Sequence, residues 1–342
     1  MRNRTRGVPR GVAVVLAAAW LLAAAGCGVL KRNAVEGDHL VAVVMEGSHA
    51  GVIEPLLTRA LERPLFTPQP ETRFTLRRVP DDSIAEVARW QNIILVGALD
   101  SPDPASERVR RMLKGDVLAG VESGEYNVFR KRDVWARGQT VIVLVAATRA
   151  KLAAWVDTSG GEIYRLLSED RDERMRRHLY GSHEPVALSD SLQKAHGWRL
   201  RIAHDYGLVA SSRSPEYIRL RRRFPDRFIT VAWRIGGPEE VTADTLLAWR
   251  NRIGRRFADP VRVNPVLLDI RTTTFNGLPA VEAHGLWETL GSLGGGPFVA
   301  YLFHSKGTLY LLDGAVFAPD RPKELFIRQL EVILHNFEPA AG

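Results

Sequence analysis

Glu282 and His284 stand two residues apart in Glu282-Ala-His284-Gly-Leu-Trp287-Glu288, the one stretch of the chain where titratable groups crowd. On a β-strand side chains alternate, so Glu282, His284 and Leu286 share one face, with Ala283 and Trp287 on the other. A carboxylate beside an imidazole can pass a proton. With the glycine-rich loop Gly294-Gly295-Gly296-Pro297 next to it, the pair makes a candidate hydrolytic site in which Glu282 and His284 are the catalytic residues. The blander reading is equally concrete: polar strand residues, and a loop whose glycines let one backbone pack closely on another or serve as a docking edge.

Arg219–Arg223, with Phe224, Arg227 and Phe228, form the densest basic run, RLRRRFPDRF. Basic residues interleaved with aromatics suit nucleic acid or anionic lipid headgroups. They also suit a solvated strand edge whose charge discourages edge-to-edge pairing. Other chemistry is sparse. The chain has no GxxxxGK[ST], no GxGxxG after a strand, no GxSxG and no HExxH. His178 and His183, or His196 and His204, match no familiar ligand spacing, so neither a metal nor a cofactor is expected. Trp135, Arg137, Trp287 and Gly295 are the candidate binding residues, the two tryptophans being equally suited to anchoring a core.

The sole cysteine, Cys27, cannot form an internal disulfide, so its position decides its meaning. Residues 1–11 carry Arg2, Arg4, Arg6 and Arg10 and no acid; Val12–Ala25 is an apolar run, and Ala24-Ala25-Gly26 leads into Cys27. That run is too short to span a hydrocarbon core, which takes roughly 20 residues, but it suits a signal peptide. The order resembles the lipobox of bacterial lipoproteins, although leucine is more usual where Ala24 stands. The resemblance implies a diacylglyceryl group on the Cys27 thiol, cleavage before it, and palmitate-type acylation of the new amino group. A signal peptide with a chance cysteine, or an uncleaved anchor, are the alternatives. Gly28, in place of the aspartate that retains lipoproteins at the inner membrane, points to the periplasmic face of the outer membrane. Residues 28–38 read as a short tether.

Without the four leader arginines the formal charge falls from +8 to +4, 43 basic against 39 acidic residues, too little to argue for nucleic acid. A hydrophobic content of 45% with 25% charged residues is that of a folded protein. The division expected is a signal peptide (1–26), lipidated cysteine and tether (27–38), an N-terminal α/β half (39–185) and a C-terminal α+β half (186–342). Strands are predicted at 39–45, 93–98, 126–135 and 139–147, with helices at 50–62, 83–91 and 106–113. The charged stretch from Arg149 to Tyr180 reads as a solvated helical connector, broken at Gly160-Gly161, whose Arg174, Arg176 and Arg177 suit anionic lipid. Beyond it come a helix ending at Gly197, a helix capped by Thr242, a final helix over 320–337, and strands joined by turns at Asn276-Gly277 and Lys306-Gly307. The fold class expected is α+β, largely antiparallel sheets with helices packed on one face.

Three segments carry a family likeness: Asn92–Val96 with Asp133-Val-Trp135-Ala-Arg137-Gly-Gln139; Thr245 through Asn251; and Gly285-Leu-Trp287-Glu288 with Gly295–Phe298, Phe317-Ala-Pro319 and Arg328–Glu331. Together they resemble a family of bacterial envelope lipoproteins catalogued as domain of unknown function 4837, with glycine at 138 where proline is expected. The second half also loosely resembles the Mog1/PsbP-like fold. The likeness implies export and fold but hands over no catalytic residue. Three functions follow. The first is a membrane-tethered, non-catalytic module that binds an envelope protein or glycan. The second is an envelope hydrolase using Glu282 and His284. The third is a lipid or small-ligand carrier.

Overall fold

Two strands without an exposed residue, Asn92–Ala98 and Thr140–Ala146, organise the first half. Continuous apolar runs such as these suit a sheet covered on both faces, the setting of parallel strands. The computed structural model describes residues 31–181, 183–214, 216–236 and 241–340. The expected signal peptide, Cys27 and Gly28 therefore lie outside the described residues. Among these, no helix is long and apolar enough to cross a membrane.

The first half runs β1 (Leu40–Val44), α1 (Gly47–Leu61), β2 (Pro64–Leu65), β3 (Glu71–Thr72), β4 (Thr75–Val79), α2 (Ile84–Val87), β5 (Asn92–Ala98), α3 (Pro104–Met112), α4 (Asp116–Ser123), β6 (Val128–Arg132) and β7 (Thr140–Ala146). Its five-stranded sheet has the order β4-β1-β5-β7-β6, parallel except for β6. Alternation sorts the side chains: Ile94 and Val96 face α1 and the long helix α5 (Arg149–Tyr180), while Ile93 and Leu95 face α3 and α4.

The second half runs α6 (Val186–His196), β8 (Arg199–Leu200), β9 (Gly207–Arg213), β10 (Glu216–Arg222), β11 (Asp226–Ile235), α7 (Ala243–Gly254), β12 (Val261–Phe275), β13 (Leu278–Thr289), β14 (Gly295–Ser305), β15 (Thr308–Phe317), α8 (Glu324–Leu334) and β16 (Phe337–Glu338). Its seven-stranded sheet, β12-β13-β14-β15-β11-β10-β9, is antiparallel throughout. The fold is α+β. Helices cover both faces of this sheet rather than one. Val299, Tyr301 and Phe303 face α8, and Phe298, Ala300 and Leu302 face α7. The two tight hairpins turn at Asn276-Gly277 (φ 49° and 84°) and Lys306-Gly307 (φ 49° and 77°), the paired positive values of a type I′ turn. Thr242 caps α7 by accepting from the Thr245 amide at 3.2 Å, and Gly197 ends α6 at φ 80°.

Two expectations are corrected. Helix α5 is neither broken nor a solvated connector. Gly160 sits where a Cβ would come within 2.7 Å of the Ala60 Cβ, so the glycine allows α1 and α5 to pack closely. Further on, Met175 and Leu179 of the same helix enter the core beneath the second sheet, so α5 joins the two halves. Its Arg174 is not at a lipid surface either; it donates to Thr140 and Asn92 at 3.0 and 2.6 Å. The segment expected as a tether over 28–38 is also bonded to the body along most of its described length. Ala34 donates to the Arg137 carbonyl at 2.9 Å, Arg137 to Arg32 at 3.0 Å and Val35 to Arg89 at 2.7 Å, which docks the chain from Arg32 onward.

Candidate binding site

The face of β13 that carries Glu282 and His284 is buried against α8, and the two side chains do meet. His284 Nε2 donates to Glu282 Oε1 at 2.6 Å, Arg271 donates to Oε2 at 2.9 Å, and the Tyr301 hydroxyl reaches Oε1 at 3.3 Å. Burial would raise the Glu282 carboxyl, but the bonds from His284 and Arg271 outweigh it and hold the pKa at about 2. Such a carboxylate stays ionised and accepts protons poorly at neutral pH. Next to it, Glu331 takes both ends of Arg73 and is reached by Arg328 at 3.3 Å; here too burial pushes up and the arginines win, keeping it ionised. The cluster is an ion network between α5, α8 and the sheet. The glycine loop does not join it. Gly295 pairs with Glu288, six residues along β13 from Glu282. A Cβ at Gly295 would lie 2.6 Å from the Trp287 carbonyl oxygen, and one at Gly296 2.0 Å from that of Val316. These glycines serve close backbone packing.

The binding candidates split between two places. Arg137 lines a polar cavity of about 470 Å³ with Arg132, Arg174 and Arg177, whose charge is offset by Asp170 and Glu173. Trp135 packs partly buried beside it, its amide donating to Gln139 at 3.0 Å. Gly138 stands at φ 81°, a value closed to the proline expected there.

Trp287 lines a different cleft, of about 460 Å³, on the α7 face of the second sheet. Alternation on β10 sends Tyr217 and Arg219 to this face and Ile218 and Leu220 to the other. Phe228 comes from β11, Phe257 from just beyond α7, Phe317 from the end of β15, and Leu293 and Gly294 from the loop after β13. The Trp287 indole is fixed by donating to the Val316 carbonyl at 3.2 Å. The basic run thus corrects to something other than a solvated edge. β9 is the edge strand, Arg221 is held by Asp226 at 2.9 and 2.5 Å, and the Arg219 guanidinium lies 3.6 Å from the Phe257 ring centre and 4.2 Å from that of Phe228. Burial is the strongest influence on Arg219 and pulls its pKa down to about 10, so it remains charged. Sequence reasoning singled out Arg219 and Trp287, took Phe317 only as part of the family likeness, and missed Phe257 and Leu293, which come from separate elements. Among the described residues, no group of three or more His, Cys, Asp or Glu side chains could hold a metal ion.

Residues 185–336 match the family model described as a domain of unknown function, DUF4837, and residues 35–180 match a second, DUF8532. The resemblance to the first family holds. It takes in the Trp287, Gly295–Phe298 and Phe317–Pro319 segments, while Asp133–Gln139 falls within the second match. No curated protein sequence matches the chain. A solved structure of LpqN, described as involved in cell envelope biogenesis of Mycobacterium tuberculosis, is similar at 14% identity and a TM-score of 0.27, covering 42% of this chain and 83% of that one. A likeness at that level carries no argument about function.

Proposed function

We propose that the chain is a cell-envelope lipoprotein whose folded body is a non-catalytic binding module, with its binding site in the cleft between Arg219 and Trp287. The observation that carries this reading is the cleft itself: aromatic walls around a guanidinium that no carboxylate among the described residues holds. The competing hydrolase reading is weakened because Glu282, which lines a polar cavity of about 380 Å³, is held ionised by His284 and Arg271, and His284 does not line that cavity. A fixed cleft also favours carriage of a small ligand over a protein or glycan partner.

Anchoring rests on the leader and Cys27, with Gly28 favouring the periplasmic face of the outer membrane. Because the chain docks from Arg32, only five residue steps separate it from Cys27, a reach of at most about 17 Å. The folded body would therefore work close to the bilayer.

Leu293, fully exposed at the cleft, offers the test. In cells making the full chain, photoreactive benzoylphenylalanine replaces Leu293, or in a control the exposed Glu122 of α4. Irradiation should yield a discrete adduct from position 293 alone. Equal or absent labelling at the two positions would overturn the reading.

A further inference from the structure

We propose that this cleft binds an amphipathic monoanion, its oxyanion head on Arg219 and its apolar body between Phe257, Trp287 and Phe317. The inference rests on the binding reading above and names the ligand chemistry of the same site.

A guanidinium taken out of water normally keeps a carboxylate, because an unpaired buried charge costs several kcal/mol. Three arginines of the core follow that rule, while Arg174 and Arg227 are held by neutral side chains instead, Thr140 with Asn92 and Gln329. Arg171 holds Glu324, Arg250 holds Asp313 at 2.6 Å, and Arg73 holds Glu331. Arg219 makes no hydrogen bond or ion pair among the described residues, and its Nε is buried without a partner. Asp313, the carboxylate that acts on it most strongly, is already taken by Arg250. Aromatic contact uses the faces of the planar cation and leaves its edge donors idle, and those donors match a carboxylate or phosphate.

Charge and size narrow the ligand. Arg219, Arg221 and Arg256 line the cleft against Asp226 and Asp259, one positive charge in excess. Arg221 is spent on Asp226, and Arg256 and Asp259 are exposed. One partly buried cation, unpaired among the described residues, accepts one anionic head. The remaining wall is aromatic, which a bare inorganic anion would not use. A volume of about 460 Å³ suits a small molecule with a short apolar chain.

The test uses the full chain in detergent solution, labelled with 5-fluorotryptophan, the Trp287 resonance being assigned with Trp287→Phe. Probes are octanoate, octyl phosphate, octanol and inorganic phosphate. Octanoate or octyl phosphate should shift the Trp287 signal saturably, and whichever acts at lower concentration identifies the head group. Octanol should need at least tenfold more, and inorganic phosphate should leave the signal in place. Arg219→Met should weaken the anionic probes at least tenfold and leave octanol within twofold, while Arg219→Lys should retain an intermediate affinity. Should Arg219→Met lose the dispersed fluorine spectrum of a folded protein, Arg219→Gln gives the same reading. Octanol matching octanoate, inorganic phosphate matching octyl phosphate, or unchanged affinity in the methionine variant would each overturn the proposal. Silence of Trp287 towards every probe, with the adduct from position 293 still forming, would refute the ligand chemistry and leave the binding module standing.

Discussion

Replacing Arg171 with methionine should destabilise the protein by about 3–5 kcal/mol, the usual consequence of leaving a buried carboxylate without its cation. Arg171 is 1% exposed and donates to Glu324 at 2.7 and 2.6 Å, to Asp38 at 3.0 Å and to the Arg73 carbonyl at 2.9 Å. It thereby fastens α5 to the start of α8, where Glu71 of the first half also accepts from the Lys323 and Glu324 amides at 2.8 Å. Methionine keeps most of the stem volume but leaves Glu324, itself 6% exposed, unpaired. An unfolding entropy of roughly 2 cal/mol/K per residue turns that loss into a fall of about 5–8 °C in Tm for a body of this size. Replacing both partners by apolar residues removes the orphaned charge, so Arg171→Met/Glu324→Leu should melt above Arg171→Met alone. Thermal unfolding followed by circular dichroism on the full chain checks both. A single variant within 1 °C of wild type, or a double variant no better than the single, would refute the reasoning.

Gly296→Ala should cost more than about 2 kcal/mol, because its Cβ would lie 2.0 Å from the Val316 carbonyl oxygen in the packed sheet; denaturant titration reads the loss. Glu282 is held at about 2 from an ordinary 4.5, so in that window the unfolded chain binds more protons and stability falls as pH is lowered through it. Glu282→Gln should lower stability at pH 7 and flatten that acid-side decline, measured as Tm against pH. Cys27→Ser should release the chain from the membrane fraction and remove a lipid increment from its intact mass; unchanged fractionation and mass would remove the anchor.

What the sequence made legible was local. Asn276-Gly277, Lys306-Gly307, Gly197 and Thr242 each act within a few residues of themselves, and each does in the fold what its chemistry predicts. The pairing of Glu282 with His284 followed from strand alternation alone. What stayed hidden depends on partners distant in the chain. Helix α5 looked solvated because its arginines find their carboxylates far away, Arg171 bonding to Asp38 and Glu324, 133 and 153 residues off. Gly160 looked like a break because nothing nearby reveals that Ala60 packs against it. The glycine loop and Glu282 seemed close in sequence, yet six extended residues of β13 hold them apart. The cleft draws on six strands and two loops, so a basic run with two phenylalanines was visible while its purpose was not.

Native mass spectrometry of the full chain extracted with detergent from the cells that make it tests the central claim most directly. The wild-type chain should carry a bound small anion beyond its covalent mass, released on denaturation and absent from Arg219→Met. A wild-type chain that runs at its covalent mass, indistinguishable from the variant apart from the substitution, would contradict a ligand-binding role for the cleft.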